Sequence, residues 1–189
     1  MAGAGCGGKA DERIGAVAVT VRRGGGPGTP PAVIAGPADL PSCGGVIGAG
    51  YDYWIGLSAR RGALPMRTDI RPQEMRSLLS RFILLDLYDG DRFELRFRLA
   101  GTRFEELQGL SLTGRYLREI YTPADYAEMA AVCREMTADP LPRYLESELR
   151  RPGREMYRVQ RLLLPLAGPD GRVAHIAAFI DESPSPAGL

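Results

Sequence analysis

The sequence predicts an α+β domain built on an antiparallel sheet, and three features of the chain support this fold class. The first is a hairpin, in which an apolar run that begins at Phe82 meets a turn at Asp89–Asp91 and then the alternating segment Phe93–Thr102. The second is a group of three strand-like segments near the end of the chain. The third is a helical stretch between the two groups of strands. Strands in two runs with helices between them favour helices packed on an antiparallel sheet.

The hairpin also predicts which side chains face the core. On its second strand, apolar and charged residues alternate, which gives an apolar face of Phe93, Leu95, Phe97 and Leu99 and a charged face of Glu94, Arg96 and Arg98. The first strand is apolar on both faces. A strand of that kind is central in its sheet and requires cover on both sides.

Length and charge narrow the function classes. The 189 residues suffice for one domain with a sizeable core. With 24 basic and 23 acidic residues the net charge is +1, which argues against a dedicated nucleic-acid binder and against attraction to an anionic membrane.

No apolar run approaches the roughly 18 residues of a membrane-spanning helix, so we expect a cytoplasmic protein. The three cysteines, Cys6, Cys43 and Cys133, match neither a disulfide framework nor a metal site.

Residues 1–50 are predicted to be a disordered tail rich in glycine and proline. They contain 14 of the 24 glycines, 5 of the 15 prolines and no aromatic residue, so they bury little surface against the entropy of ordering them. Only the segment from Ile14 to Val21 alternates weakly, and it is read either as a fragment of strand or as an unpaired segment.

Residues 51–81 are predicted to form an N-terminal helical cap. Tyr53, Trp54 and Leu57 share one face of a short amphipathic helix. After an irregular link, Pro72 occupies the first turn of a second helix, whose buried stripe is Met75, Leu78 and Leu79.

Residues 82–182 are predicted to be the sheet domain, and residues 183–189 a second disordered tail. After the hairpin, a brief helix containing Phe104 and Leu107 ends at Gly109. A longer helix starts at Thr122-Pro123 and ends before Asp139, with Tyr126, Met129, Cys133 and Met136 on one face. Strands follow at 141–151, 155–166 and 172–181, with turns at Pro152-Gly153 and Pro169–Gly171 between them. The long helix covers one face of the sheet, and the cap or a partner subunit covers the other.

The order of elements and several short motifs resemble a PAS domain. The motifs are Tyr53-Trp54, Leu64-Pro65 with Arg67, Asp69-Ile70 and Pro72, Leu84-Leu85-Asp86, Phe97–Thr102, Gly109 and Leu112–Gly114. Over residues 51–182 the chain is similar to the fifth PAS-like family, which groups small single-domain bacterial proteins, often alphaproteobacterial and mostly uncharacterised. The resemblance implies strand order 2-1-5-4-3, a cavity between sheet and helices, frequent homodimerisation and a sensory or interaction role in signalling. It implies no catalytic residues and no defined ligand.

The residues with reactive side chains are interpreted as having structural rather than catalytic or cofactor-binding roles. His175, which is the only histidine, lies in a predicted strand beside Ala177 and Phe179, so histidine-ligated haem from a helix is not expected. Cys133 lacks the Asn-Cys-Arg-Phe-Leu-Gln context of a flavin-adduct cysteine and is interpreted as a small buried hydrophobic residue. No nucleophile, base and orienting group assemble in the sequence, so we predict that the protein is not an enzyme. The residues identify no cofactor and no metal.

The leading functional hypothesis is therefore a PAS-type module that signals by binding a partner, either a second copy of the chain or another signalling protein. Interface candidates are Tyr53 and Trp54, which alternatively pack within the cap, and Arg96 and Arg98. These two arginines are expected either to converge with Arg158 into a basic patch that binds an anion or a partner, or to form cross-strand pairs, as is Arg158, with Glu94, Glu146 or Glu148. The alternative hypothesis is a small-molecule sensor with a hydrophobic cavity, for which the lining candidates are Phe97, Leu99, Tyr121, Met129, Cys133, Leu163 and Phe179.

Overall fold

A computed structural model describes residues 22–23, 32–34, 39–40, 44–90, 92–150 and 156–184. Within these residues, the strands are β1 (Arg22–Arg23), β2 (Ala32–Val33), β3 (Phe82–Asp89), β4 (Phe93–Ala100), β5 (Arg143–Arg150), β6 (Met156–Ala167) and β7 (Val173–Pro184). The α-helices are α1 (Gly45–Arg61), α2 (Thr102–Gln108) and α3 (Pro123–Ala138). Short 3₁₀ helices occupy Arg67–Asp69, Pro72–Met75, Leu79–Arg81 and Leu117–Glu119.

The predicted fold class is confirmed. The five long strands form one antiparallel sheet in the order β5-β6-β7-β3-β4. Numbered from one to five along the chain, they have the order 2-1-5-4-3 that the resemblance implied. The two short strands β1 and β2, which were not predicted, pair with the outer side of β5.

A bulge in the hairpin corrects the predicted alternation of β4. Leu85 pairs with Phe97, whereas the residue before it in β3, Leu84, pairs with Leu99. Arg98 is therefore an extra residue in β4. From this point on, the side chains of β4 change faces. Leu99 therefore shares a face with Leu84 rather than with Phe97, and 41% of it is exposed.

Two hydrophobic clusters cover the two faces of the sheet. The helical face packs against α2 and α3 and includes Ile83, Leu85, Leu95, Phe97, Leu163, Ile176, Ala178 and Ile180, with Phe104, Leu107, Met129, Cys133 and Met136 from the helices. The cap face packs against α1 and includes Phe82, Leu84, Leu162, Leu164, Leu166, Ala177 and Phe179, with Ile47, Tyr51 and Trp54 from the helix. The sheet thus has the cover on both faces that its apolar strands require, and the cap supplies the second layer within one chain.

The cap starts earlier than predicted. Helix α1 begins at Gly45, six residues before the predicted first helical position, and ends at Arg61; Gly62, whose φ of 69° suits a glycine, caps it. Ile34 and Leu40 are also buried in the cap-face cluster. The prediction of a disordered tail is therefore wrong for these residues, while the rest of 1–50, including the segment from Ile14 to Val21, lies outside the described residues.

The second helix of the cap is also corrected. The segment after Pro72 forms two short 3₁₀ helices rather than one α-helix, although Met75 is buried as predicted. At the other end of the chain, β7 continues to Pro184 and so includes the first two residues of the predicted second tail. Residues 185–189 and the turn predicted at Pro152-Gly153 lie outside the described residues.

Helix α3 begins as the sequence predicts. The side chain of Thr122 accepts a hydrogen bond from the backbone N–H of Asp125 at 3.2 Å, and Pro123 occupies the first helical position. The buried residues of this helix include Met129, Cys133 and Met136, which face the sheet. The long helix therefore lies over the helical face, where the cavity candidates were predicted.

Candidate functional site

Five of the seven predicted cavity residues lie together on the helical face. Phe97, Tyr121, Met129, Cys133 and Leu163 are all buried members of the same cluster. They come from β4, the segment before α3, α3 itself and β6. The prediction therefore grouped residues that are distant along the chain.

The other two predicted cavity residues are corrections. Leu99 is displaced from the helical face by the bulge at Arg98. Phe179 points to the cap face, where its ring lies 5.3 Å from the ring of Phe82 between centroids. Both faces of β7 are apolar, so hydrophobicity alone did not reveal which face Phe179 occupies.

A polar pair that the sequence reasoning missed lies on the helical face among these apolar residues. Arg161 of β6 is 4% exposed, and its Nη1 donates a hydrogen bond to Oγ of Ser147 at 2.6 Å. Its neighbours in the sheet are Leu145 on β5 and Ile180 on β7. The period-two pattern of Val159, Arg161 and Leu163 is the signal that could have placed this arginine on the buried face.

Burial changes the pKa values of two further groups on the helical face. Burial raises the pKa of the Tyr121 phenol, while the positive charge of Arg161 acts in the opposite direction. Burial raises the pKa of the Cys133 thiol to about 12. Cys133 is therefore a neutral thiol at physiological pH, which does not suit a nucleophile or a metal ligand.

A second buried arginine, Arg143, has both a counter-ion and hydrogen-bond acceptors for its guanidinium. The Arg143 guanidinium donates to the backbone oxygen of Leu141 at 2.9 Å and forms an ion pair with the carboxylate of Asp139, also at 2.9 Å. Arg143 thus has both a counter-ion and backbone acceptors. Arg161, in contrast, donates to a neutral hydroxyl, that of Ser147.

A charged cluster of Asp86, Arg98 and His175 lies on the cap side of the sheet. The carboxylate of Asp86, which is 6% exposed, accepts a hydrogen bond from Nε of Arg98 at 2.7 Å, and Nδ1 of His175 lies 2.8 Å from the same oxygen. Burial lowers the pKa of His175 and outweighs the opposing effect of Asp86, and the charges of Arg67 and Arg98 also lower it. His175 is therefore a neutral hydrogen-bonding residue of this cluster at physiological pH.

The predicted basic residues do not converge on one surface. Arg96 donates to the backbone oxygen of Gly114 at 2.9 Å, Arg98 pairs with Asp86, and Arg158 on β6 pairs with Glu146, one of its predicted partners. Strands β3 and β7 stand between β4 and β6, which places β4 and β6 about 14 Å apart. The arginines are therefore engaged locally rather than assembled into one anion site.

The predicted aromatic pair belongs to the cap. Nε1 of Trp54 donates a hydrogen bond to the backbone oxygen of Pro165 at 3.0 Å, which ties α1 to β6. The hydroxyl oxygen of Tyr53 accepts a hydrogen bond from the backbone N–H of Arg71 at 2.8 Å. Both residues thus have structural partners within the chain.

The C-terminal half of α1 and the residues that follow it bound a shallow surface concavity of about 470 Å³. The residues that line it are mostly small or apolar: Trp54, Ile55, Ser58, Ala59, Gly62, Ala63 and Leu64. Ile55 is 42% exposed at this surface, whereas Trp54 is buried and also bonds to β6. The concavity is therefore an apolar surface of the cap, beside the contact between α1 and the sheet.

Among the described residues, no group of three or more His, Cys, Asp or Glu side chains is arranged to hold a metal ion. In the same part of the chain, every helix is too short or too polar to cross a membrane.

An antiparallel sheet in the order 2-1-5-4-3, with α2 and α3 on one face and a cap on the other, defines a small α+β domain of the PAS class. A family model described as a PAS domain matches residues 48–180. The match spans more than half of the chain, so the chain belongs to the PAS domain family.

Solved structures with a similar fold include light-oxygen-voltage proteins. An RNA-binding light-oxygen-voltage receptor aligns with 58% of this chain and 32% of its own, at 18% identity and a TM-score of 0.44. The light state of the blue-light photoreceptor Aureochrome1 LOV aligns with 61% of this chain and 91% of its own, at 13% identity and a TM-score of 0.41. A light-oxygen-voltage domain studied with a flavin analogue aligns with 61% and 86%, at 12% identity and a TM-score of 0.42.

These similarities are distant, and nothing about the ligands or activities of those proteins transfers to this chain. The chain spans about a third of the length of the RNA-binding receptor. A comparison with curated proteins gave no match.

Proposed function

We propose that this PAS domain protein is a non-catalytic bacterial signalling module that acts by binding a protein partner, and that the first such partner is a second copy of the chain. The observation that carries the proposal is the apolar concavity at the C-terminal end of α1. Apolar surface that is rimmed by polar residues is typical of protein interfaces. Ile55 is the large exposed hydrophobic residue that lines it, and Arg60 and Arg61 follow at the end of the helix.

The position of the concavity suggests how binding is transmitted. The same helix contacts the sheet through Gly50, which lies against Phe179, and through the hydrogen bond from Trp54 to Pro165. A partner in this concavity therefore binds an element that also packs directly on β6 and β7. If the cap has two arrangements, a partner that prefers one of them shifts the population toward it.

The low net charge of +1 is compatible with self-association, because it gives little repulsion between copies. No catalytic role is part of the proposal, since the described cysteine is a buried neutral thiol and His175 is engaged by Asp86. Binding, rather than chemistry on a substrate, is what these groups support.

The oligomeric state of the full chain tests the proposal. Size-exclusion chromatography with light scattering is expected to give twice the mass of one chain for the wild type and the mass of one chain for Ile55→Arg, because the new charge would be buried at the interface. Ala131→Arg, at an exposed position of α3, is the matched control and should remain dimeric. A wild type that stays monomeric up to high concentration, and that captures the same proteins as Ile55→Arg does, would contradict the proposal.

A second candidate function is small-molecule sensing on the helical face. The observation that favours it is Arg161, a buried cation among apolar side chains. Native mass spectrometry and an absorbance spectrum of the purified protein test this candidate, because a bound molecule adds mass and a chromophore adds colour. A colourless protein without added mass would favour the partner-binding proposal.

A further inference from the structure

The solvent-facing side of α1 carries two neighbouring rows of side chains, because residues four apart follow one another along the surface of a helix. Ile55 and Ala59 form an apolar row, and both line the concavity. Asp52 and Arg60 mark the two ends of a charged row beside it. All four residues are exposed. This side of the helix thus presents an apolar half and a charged half to solvent.

The charged row has a negative end and a positive end. Asp52 and Arg60 are separated by about 12 Å along the helix axis, at the rise of a regular α-helix. Position 56 lies midway between them, and Nη1 of Arg60 is 3.8 Å from a Cβ built at Gly56. The guanidinium of Arg60 therefore reaches back toward the middle of the row.

Arg60 has a carboxylate partner within the chain, and this contact leaves the guanidinium accessible. Nη2 of Arg60 donates to the carboxylate of Glu74 at 3.0 Å, and 54% of the Arg60 side chain is exposed. Glu74 also pairs with Arg71, at 3.4 Å. A guanidinium has five N–H donors, and an exposed ion pair contributes little to stability. A second carboxylate is therefore able to approach Arg60 without disrupting the fold.

A two-fold axis at the level of position 56 makes this side of α1 complementary to itself. In the antiparallel pair of helices that such an axis generates, Asp52 of each copy lies level with Arg60 of the other, which gives two contacts between opposite charges. Ile55 of each copy lies close to Ile55 and Ala59 of the other, so the apolar rows meet. A parallel pair would instead place Asp52 beside Asp52 and Arg60 beside Arg60, which is repulsive.

We propose that two copies of the chain associate through an antiparallel contact between their α1 helices, with Asp52 of each copy paired to Arg60 of the other and Ile55 directed at the apolar row of the second copy. This inference rests on the proposed function and specifies the arrangement of its interface. Because the contact is symmetric about a two-fold axis, it closes on itself and gives a dimer rather than an open chain of copies. The charged pairs select the antiparallel orientation, and the apolar rows supply the buried surface.

Charge reversal in the full chain tests the inference, with the dissociation constant of the dimer measured by sedimentation equilibrium. Asp52→Arg and Arg60→Asp each replace two attractive contacts by two repulsive ones, so each should weaken the dimer by roughly tenfold or more. The double variant, which carries both substitutions in one chain, again places opposite charges level with each other. Its dissociation constant should return to within about threefold of the wild-type value.

Mixing the two single variants keeps the test independent of folding. A mixed dimer of Asp52→Arg with Arg60→Asp has opposite charges at both contacts, whereas each variant alone has like charges there. The equimolar mixture should therefore sediment as a dimer at a concentration at which each variant alone is a monomer, and mixing would not repair a misfolded chain. Glu128→Arg on α3 and Arg115→Asp before Tyr116 reverse exposed charges elsewhere, so these matched controls should dimerise as the wild type does.

The outcomes separate the inference from the function on which it rests. Weakened dimers in both single variants, with recovery in the mixture and in the double variant, support both. A wild-type dimer that Ile55→Arg disrupts would overturn the antiparallel pairing, and leave partner binding at the concavity in place, if neither charge reversal weakens it or if neither the mixture nor the double variant recovers. A wild type that stays monomeric up to high concentration, and that captures the same proteins as Ile55→Arg does, would overturn both.

Discussion

Gly50 of α1 lies directly against the ring of Phe179 on β7. A Cβ built at position 50 would come within 2.3 Å of a ring carbon, a distance that real Cβ atoms essentially never show. The helix approaches the cap face so closely because position 50 has no side chain. This contact, together with the hydrogen bond from Trp54 to Pro165, fixes the cap on the sheet.

Replacing this glycine should loosen the cap. We expect Gly50→Ala to lower the free energy of unfolding by about 1–3 kcal/mol, because the added methyl group forces Phe179 or α1 to move. Intrinsic helix propensity acts in the opposite direction and favours alanine by about 1 kcal/mol. Urea denaturation followed by the fluorescence of Trp54, the single tryptophan, measures the difference.

Gly56 on the same helix provides the matched control. A Cβ there would meet only the Nη1 atom of Arg60, at 3.8 Å, which is an ordinary contact with a flexible side chain. Gly56→Ala should therefore stabilise the protein by up to about 1 kcal/mol. If both substitutions change stability in the same direction, the packing of Gly50 against Phe179 does not control the position of the cap.

The cap also shows where composition misled the prediction. A glycine-rich segment before Tyr51 was predicted to be disordered because glycine raises the entropy of the unfolded chain. In the structure, two of these glycines, Gly48 and Gly50, are buried residues of α1. Gly50 permits close packing against the distant strand β7, which composition and local propensity do not reveal.

The structure of the hairpin was also predictable only in part. The long helix and its cap at Thr122 follow from local patterns, and the strand order follows from the resemblance to PAS domains. The bulge at Arg98 was not, because the alternation of residue types continues through Leu99 while the pairing with β3 shifts. One extra residue was enough to move Leu99 out of the predicted cavity.

The candidate site was predictable in part. The shared burial of five predicted cavity residues on the helical face follows from apolar periodicity and the resemblance to PAS domains. The contact of Arg161 with Ser147 depends on the register between β5 and β6, which the sequence does not show. Such a contact becomes visible only when the neighbouring strands have been placed.

Cys133 is expected to be chemically inert in the folded protein. It is fully buried, and burial raises the pKa of its thiol to about 12, so almost no thiolate is available at neutral pH. Iodoacetamide should leave the Cys133 peptide unmodified in native buffer and modify it fully in denaturing urea, as measured by mass spectrometry. The peptide-level readout separates Cys133 from Cys6 and Cys43, and rapid labelling of Cys133 in native buffer would show that α3 opens readily.

The stability of the protein should depend on pH through His175. Its pKa is lowered in the folded state, mainly by burial, with Arg67 and Arg98 acting in the same direction and Asp86 opposing them. Between this lowered value and the ordinary value of about 6.5, the unfolded chain binds more protons than the folded chain. The free energy of unfolding is therefore fully retained above about pH 6.5 and decreases as the pH falls through the folded-state pKa.

Denaturation at a series of pH values, from above 6.5 down to the range in which carboxylates begin to titrate, measures this dependence. Because His175 is the only histidine in the chain, the slope in that window is assigned to it. His175→Gln keeps a hydrogen-bond donor for Asp86 but does not titrate, so the slope should disappear in this variant. A free energy of unfolding that instead rises as the pH falls would mean that the contact with Asp86, at 2.8 Å, outweighs burial and that His175 is charged in the folded protein.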